Sequence, residues 1–273
     1  MIALVVLATL TLGVLAAIFV PPYWRRYRRH HLMQQPFPHA WRQILKQRMP
    51  YFRALPADLQ LQLKKLIQVF VAEKHFVGCA GLEVTDEMRV TIAAQACLLL
   101  LNKPAHFYPK LRQILIYPGA FVVPATQQDA AGVIQEQQQV RLGESWQSGQ
   151  LVLSWLDTLQ SAAVTDDGHN LVIHEFAHQL DQLKGAATGV PLLATVGAYQ
   201  RWTDVFSAEL QQLQQQLARG EATFIDPYAA TNPAEFFAVL SEVFFEQPKQ
   251  LAVRHPQLYQ LLKQYYALDP LSW

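Results

Sequence analysis

The sequence predicts an α+β fold in which helices surround a small mixed sheet, preceded by one N-terminal transmembrane helix. Helical periodicity dominates both halves of the chain, β-like segments cluster between residues 113 and 155, and the first 20 residues carry no charge. The chain has 273 residues, of which 51% are hydrophobic and 16% charged. This composition excludes a disordered protein and supports a sizeable core, in one large domain or two small ones.

Met1–Val20 is the most apolar part of the chain. As a helix it would span roughly 30 Å, the thickness of a bilayer core, and Pro21 and Pro22 are expected to end it. Positive charge follows this segment and does not precede it, and no small-residue cleavage site is apparent. This pattern favours a membrane anchor over a cleaved secretory peptide or a buried core helix. By the positive-inside rule, the chain after the anchor faces the cytoplasm from a single-pass position in the inner membrane.

The charge is unevenly distributed along the sequence. Eight of the 22 basic residues lie between Arg25 and Arg53, and no acidic residue comes before Asp58, which leaves 14 basic residues against all 21 acidic ones. The basic segment suits anionic lipid headgroups, whereas the acidic remainder has no basic patch for phosphates, so no nucleic-acid partner is expected. Cys79 and Cys97 lack metal-ligand spacing and are interpreted as free thiols.

Residues 21–53 are basic and interrupted by prolines, which predicts a juxtamembrane segment with an entry helix before a main domain at 54–273. Apolar periodicity predicts helices over Leu55–Val71, Met88–Leu101, Asn170–Lys184, Gly197–Arg219, Pro233–Phe245 and Pro256–Ala267. Strands are predicted over Gln113–Tyr117, Phe121–Val123, Gln139–Leu142 and Leu151–Trp155, with turn-like residues at Gly143 and Ser148–Gly149.

The chemistry of the chain centres on His174-Glu175-Phe176-Ala177-His178, which matches H-E-x-x-H. Residues four apart on a helix lie on the same face, so His174 and His178 can share one zinc ion. Glu175 can then accept the proton of an activated water as general base. Asp166, Asp167, Asp181 and Lys184 surround the motif, so no apolar run of membrane-spanning length contains it, which argues against an intramembrane protease.

A third metal ligand is needed, and the sequence leaves its identity open. No histidine follows at metzincin spacing, so a carboxylate is expected. Glu235 and Glu242 both lie on the predicted helix at Asn232–Glu246, and Glu235 is slightly favoured. The alternative is that these two residues and Glu246 form a solvated stripe. Asp181 is either a polar contact close to the site or an ordinary exposed residue.

Tyr228 lies seven residues before Glu235. A phenol near the metal can donate a hydrogen bond to the developing oxyanion, although packing is the commoner role of a tyrosine.

Four segments together resemble the zinc-dependent peptidases of the Mlc titration factor A family. They are ILIYPGAFVV (Ile114–Val123), GESWQSGQLVLSWLD (Gly143–Asp157), GHNLVIHEFAHQLD (Gly168–Asp181) and YAATNPAEFFAVLSEVFF (Tyr228–Phe245). The resemblance implies a zincin-like catalytic domain with a gluzincin-like site. In that site His174, His178 and Glu235 bind one zinc, while Glu175 and Tyr228 are catalytic.

The resemblance thus favours Glu235 over Glu242 as the third ligand. It implies a peptide or protein substrate, and it raises an alternative in which the protein binds a regulatory partner such as a transcription repressor and the zinc site is secondary.

Overall fold

The computed structural model describes residues 1–104, 107–128, 134–141, 143–146 and 149–273. The α-helices are α1 (Ile2–Gln34), α2 (His39–Arg48), α3 (Tyr51–Ala54), α4 (Ala57–Glu73), α5 (Asp86–Leu98), α6 (Trp155–Ala163), α7 (Leu171–Asp181), α8 (Val196–Ala218), α9 (Pro233–Glu246), α10 (Pro248–Arg254) and α11 (Pro256–Tyr266). The strands are β1 (His75–Gly78), β2 (Gln113–Tyr117), β3 (Phe121–Gln128), β4 (Ile134–Arg141), β5 (Gly143–Trp146) and β6 (Gln150–Ser154). Short 3-10 helices cover Pro227–Thr231 and Pro270–Ser272.

A small sheet lies among these helices, with strand order β1-β2-β6-β5. The pairs β1–β2 and β2–β6 are parallel, and β5 pairs antiparallel with β6. Alternate residues of β2 are buried, and nearly all of β6 is buried. β3 and β4 form a separate antiparallel pair. The α+β class and the small mixed sheet predicted from the sequence are therefore confirmed.

The core lies between the sheet and the helices that bury apolar faces against it. Ten of the residues of α5 are buried, as expected for a segment that is apolar on almost every side. At the centre, the ring of Phe176 on α7 contacts Phe70 on α4 and Tyr108, with ring centroids 5.7 Å and 4.7 Å away. The helix that carries the H-E-x-x-H motif is thus fixed by the core on its apolar side.

The helix α1 continues through Pro21 and Pro22, so the expectation that these prolines end it is wrong. Proline disfavours a helix because it lacks an N–H donor and crowds the preceding turn, but tertiary contacts can offset that cost. Beyond the prolines, α1 packs on α4. The Arg29 guanidinium donates to both carboxylate oxygens of Glu73, at 2.7 and 2.8 Å, and stabilises this continuation.

Among the described helices, α1 has the length and apolar composition needed to cross a membrane. Its large apolar side chains from Ile2 to Val20 are exposed and lie outside the core described above. Cys79 and Cys97 are free thiols, as expected.

Candidate metal centre

The helix α7 presents its polar face towards α9, against which it packs. Asn170 caps its N-terminus, since the side-chain oxygen accepts the N–H of Ile173 at 3.0 Å. Val172, Ile173 and Phe176 are completely buried on the core side. The polar side chains of the motif are therefore directed away from the core, as the sequence pattern predicts.

A second cap fixes the start of α9. The Asn232 side chain accepts the N–H groups of Ala234 and Glu235, at 2.9 and 3.1 Å, and Pro233 occupies the first turn, where its missing N–H costs nothing. This cap holds Glu235 in the first turn of α9, facing α7.

The structure brings His174, His178 and Glu235 together in one cluster whose ligand atoms all lie within 4.8 Å of one another. The His174 Nε2 atom lies 3.0 Å from Glu235 Oε2 and 3.2 Å from His178 Nε2. The remaining edge, from His178 Nε2 to Glu235 Oε2, is 3.4 Å. The three side chains thus present three lone-pair atoms around one small triangle.

This triangle fits a metal ion. Tetrahedral zinc with bonds of about 2.0–2.1 Å to nitrogen and oxygen separates its ligand atoms by roughly 3.3 Å, close to the three edges found here. The donor set of two imidazoles and one carboxylate also suits zinc, and three protein ligands leave a fourth position for water or substrate.

Glu242 sets the orientation of His174. Its Oε1 atom lies 2.7 Å from His174 Nδ1, so Nδ1–H donates to the carboxylate and Nε2 is left to face the cluster. The other oxygen of Glu242 accepts the backbone N–H of Asn170. Glu242 is buried and contacts the ring from the side away from Glu235. It therefore supports His174 and is not part of the triangle.

Electrostatic interactions within the cluster favour a positively charged His174 and a negatively charged Glu235. Burial opposes a charged imidazole, but the Glu242 and Glu235 carboxylates outweigh it and raise the pKa of His174. Burial likewise opposes ionisation of Glu235, but hydrogen bonds from His174 and His178 outweigh it and lower the pKa of that carboxyl group. A bound cation would take the place of the proton that otherwise holds these groups together.

Glu246 extends the buried contact between α9 and α7 by one more turn. Its carboxyl oxygens accept the Asn170 amide N–H at 3.1 Å and the Gly168 backbone N–H at 3.1 Å. Burial, together with a hydrogen bond to Asp167, raises the pKa of Glu246 to about 9. The alternative in which Glu235, Glu242 and Glu246 form a solvated stripe is wrong, because Glu242 and Glu246 are each only 5% exposed.

Glu175 and Tyr228 lie beside the cluster. Glu175 is buried next to His174 on α7, and its charge contributes to the raised pKa of that histidine. Tyr228 lies on the 3-10 helix before α9, with its ring centroid 6.2 Å from that of His174. Its side chain is 54% exposed, so a phenol borders the cluster on an open side.

Asp181 is buried and 3% exposed, so the alternative of an ordinary exposed residue is wrong. Its Oδ2 atom accepts the backbone N–H of Gly189 at 2.7 Å. Gly189 in turn lies against Pro233, at a distance that leaves no room for a Cβ atom. Asp181 therefore anchors a loop that supports the start of α9, where Glu235 is located.

The residues that hold α7 and α9 in place around the cluster are the part of the site that the sequence does not predict. The sequence contains one indication of the role of Asn170, since asparagine before an apolar helix is a typical N-cap. The sequence contains no indication of the roles of Glu246 and Gly189, because both roles depend on contacts between segments distant in sequence.

Comparison with known proteins defines the class to which this fold and cluster belong. Residues 23–267 match the family described as glucose-regulated metallo-peptidase M90. The chain belongs to this family.

Individual relatives agree with this family assignment. The chain is 36% identical over 251 residues to Mlc titration factor A of Cronobacter sakazakii, covering 91% of this chain and 92% of that protein. It is 39% identical over 235 residues to Mlc titration factor A of Klebsiella pneumoniae (strain 342), covering 85% and 87%. It is also 45% identical over 267 residues to the uncharacterized protein slr2042 of Synechocystis sp., covering 97% of both chains. The resemblance seen in the sequence is confirmed.

Proposed function

We propose that the protein is a zinc-dependent peptidase with a zincin-like catalytic domain, held at the inner membrane by α1 with that domain in the cytoplasm. The observation that carries the activity is the triangle of His174, His178 and Glu235 at zinc-ligand spacing. Glu175 is next to His174 on α7, close enough for its charge to act on that histidine. The three residues of the triangle hold the metal. A bound zinc supplies Lewis acidity, which makes water a nucleophile near neutral pH.

The remaining steps belong to side chains of this chain. Glu175 takes the proton from the attacking water and passes it to the leaving amine, so that the peptide bond breaks without releasing a free amide anion. Tyr228 donates its phenolic proton in a hydrogen bond to the oxyanion that develops on the substrate carbonyl. Glu242 keeps the Nε2 atom of His174 directed at the metal.

The decisive variant is Glu175→Gln, which keeps the size and polarity of the side chain but cannot accept a proton. We expect freshly purified wild-type protein to contain one zinc per chain and to cleave members of a peptide library. The variant should retain the zinc and lose cleavage by about 100-fold or more. Metal content is measured by mass spectrometry and cleavage by peptide sequencing.

Glu221→Gln is the matched control, because Glu221 lies on the surface, where it pairs with Arg219, and this change should leave both measurements unaltered. Wild-type protein that lacks zinc would contradict the proposal, and so would a Glu175→Gln protein that still cleaves at the wild-type rate.

A second function, capture of a regulatory protein, is favoured by one observation. Relatives 36% and 39% identical to this chain are named as titration factors of Mlc. The two functions are separable, because capture does not require the base. If the Glu175→Gln protein binds a purified Mlc repressor as tightly as wild type does, capture is independent of hydrolysis. If neither protein binds it, the role in the relatives' name does not extend to this chain.

A further inference from the structure

A cavity of about 510 Å³ lies on another side of α7, away from the metal centre. Its volume falls in the range of about 300–1,000 Å³ typical of small-molecule sites. The end of α7, the segment before α8, α8 itself and α11 form its walls. Its lining is mainly apolar and includes Leu180, Leu183, Leu193, Trp202, Leu261 and Tyr265.

This cavity is separate from the metal centre. Leu180 follows His174 by six residues, which places the two side chains about 120° apart around α7. In the part of the chain that the structure describes, the cavity lining includes none of the residues assigned to the metal centre. A ligand bound here therefore contacts neither the metal ligands nor Glu175.

The cavity contains cationic groups without matching acids. Lys103 and Arg201 are its charged lining residues, and no carboxylate is among the described residues that line it. Lys103 Nζ is held over the rings of Tyr265 and Tyr266, 3.4 and 4.7 Å from their centroids. Burial lowers the pKa of Lys103 to about 7. An anionic ligand would supply the missing counter-charge.

Lys103 and Arg201 differ in their access to solvent. Arg201 and Leu192 are exposed, so they mark the open side of the cavity, whereas Lys103 is partly buried. A chain-like ligand can therefore enter past Arg201 and reach the apolar interior.

The apolar lining discriminates between possible anionic ligands. A peptide would bring amide groups into the cavity, and each buried amide without a hydrogen-bond partner is costly. The Trp202 indole N–H is already donated to the Gly189 carbonyl oxygen at 2.9 Å. A saturated acyl chain needs no such partners.

We infer that this cavity binds a fatty acid, with the acyl chain against the leucines and the carboxylate paired with Lys103 and Arg201.

The test uses the full chain in phosphatidylcholine nanodiscs and a dodecanoate probe that carries a photoreactive diazirine on its chain. We expect crosslinks, mapped by mass spectrometry, in peptides that contain Leu180–Leu193 and Leu261–Tyr265. Unlabelled dodecanoate should prevent them at concentrations about tenfold lower than dodecanol, because only the acid offers a charge-assisted hydrogen bond.

Variants separate binding in the cavity from adsorption to lipid. Ala198→Phe fills the cavity from α8 and should abolish these crosslinks without changing the zinc content. Leu192→Trp, at an exposed position of the same wall, gives the same test if Ala198→Phe does not fold. Combining Lys103→Met with Arg201→Gln should remove the advantage of dodecanoate over dodecanol, whereas Lys249→Met, at an exposed site on α10, should preserve it.

Three results would overturn the inference. Crosslinks confined to α1 would mean that the probe enters the lipid alone. Equal crosslinking in wild type and in the filled variants would exclude the cavity. Protection by a short apolar peptide but not by dodecanoate would assign the cavity to a peptide. Since the readout is crosslinking and not hydrolysis, each outcome is independent of the proposed peptidase activity.

Discussion

Glu242 is the residue that fixes the direction of His174, through the hydrogen bond from Nδ1–H to its carboxylate at 2.7 Å. Replacement of such a supporting carboxylate typically lowers metal affinity by about 10–100-fold, because the histidine loses both basicity and orientation. We expect Glu242→Gln to weaken zinc binding by about this factor, measured by competition with a chromophoric chelator. Glu221→Gln should leave the affinity unchanged, and a wild-type affinity in Glu242→Gln would show that the negative charge of Glu242 is not needed to orient the ring.

Glu246 gives the protein a pH-dependent stability. Its pKa is raised from 4.5 to about 9 in the folded protein by burial, so the folded state retains a proton that the unfolded state releases. The stabilisation is complete below pH 4.5 and declines as the pH rises towards 9, because ionisation then favours the unfolded chain. Glu246→Gln mimics the neutral acid at every pH. We expect its stability relative to wild type to rise by about 4 kcal/mol between pH 5 and pH 8, since each pH unit between the two pKa values costs wild type about 1.4 kcal/mol.

Chemical unfolding of both proteins in detergent micelles, followed by circular dichroism at each pH, measures this difference. The other titrating groups are the same in both proteins, so their contribution to the stability difference cancels. Two curves that stay parallel over the whole range would show that Glu246 is ionised in the folded protein.

At the residue scale, the sequence predicts what is local and misses what depends on packing. His174 and His178 lie four residues apart on one helix, so their shared face follows from helix geometry. The hydrogen bonds that Asn170 donates to the carboxylates of Glu242 and Glu246 follow only from the contact of two helices that are distant in the chain. Nothing in the spacing alone distinguishes Glu242 from Glu235.

At the scale of elements, the loop before α8 controls the start of α9. Gly189 has φ of +74°, and a Cβ atom there would lie 2.3 Å from the carbonyl oxygen of Pro233. Gly189→Ala therefore combines left-handed strain with a backbone collision, and we expect it to lower stability by about 3 kcal/mol. It should also weaken zinc binding, because Pro233 can yield only by displacing Glu235. Thermal unfolding and chelator competition measure the two effects.

Gly220→Ala is the matched control. Gly220 also has a positive φ, +71°, but among the described residues other than its two chain neighbours no atom lies within 4 Å of the position that a Cβ atom would take there. This change should cost about 1 kcal/mol from backbone strain alone and leave zinc affinity at the wild-type value. If the two variants behave alike, contact with Pro233 plays no part in placing Glu235.

The elements predicted best are those whose own pattern is decisive. Apolar periodicity predicts α4, α7, α8, α9 and α11 to within a few residues, and the strand-like run QILIY gives β2 at its observed bounds. The strand β1 has only four residues and becomes a strand because β2 pairs with it, which no local signal shows. The helix α6 begins at Trp155, whereas the sequence pattern predicts that this residue ends the strand β6. The reason is that Trp155 continues the apolar run of that strand.

At the scale of the whole molecule, α1 joins an exposed apolar segment to the surface of the domain as one continuous helix. The match to the metallo-peptidase family begins at residue 23, directly after this apolar segment and the two prolines. The salt bridge of Arg29 with Glu73 and the contact of Arg29 with the ring of Phe107 hold the far end of α1 to the domain. A helix built in this way would fix the orientation of the domain relative to a membrane.

The proposed anchor and the domain should therefore be separable at residue 20. Deletion of residues 2–20 removes the segment that would span the bilayer and leaves the contacts of Arg29 intact, so we expect the protein to move from the membrane fraction to the supernatant with unchanged zinc content. In the full chain, replacing Leu10 and Leu12 by arginine should act in the same direction, because each charge costs about 2.5–3.5 kcal/mol at the centre of a membrane helix. Fractionation after a carbonate wash measures the distribution.

The arginines at 25–29 predict the orientation of the proposed anchor. They should be retained on the cytoplasmic side, so a fluorescent protein fused after Trp273 should be fluorescent and alkaline phosphatase fused there should be inactive. Replacing Arg25, Arg26 and Arg28 by glutamine provides the sharper test, since it removes most of the charge asymmetry and keeps the salt bridge of Arg29 with Glu73. Phosphatase activity of the fusion to the unaltered chain would place the candidate metal centre outside the cytoplasm. Cytoplasmic peptides and repressors would then be excluded as its substrates and partners.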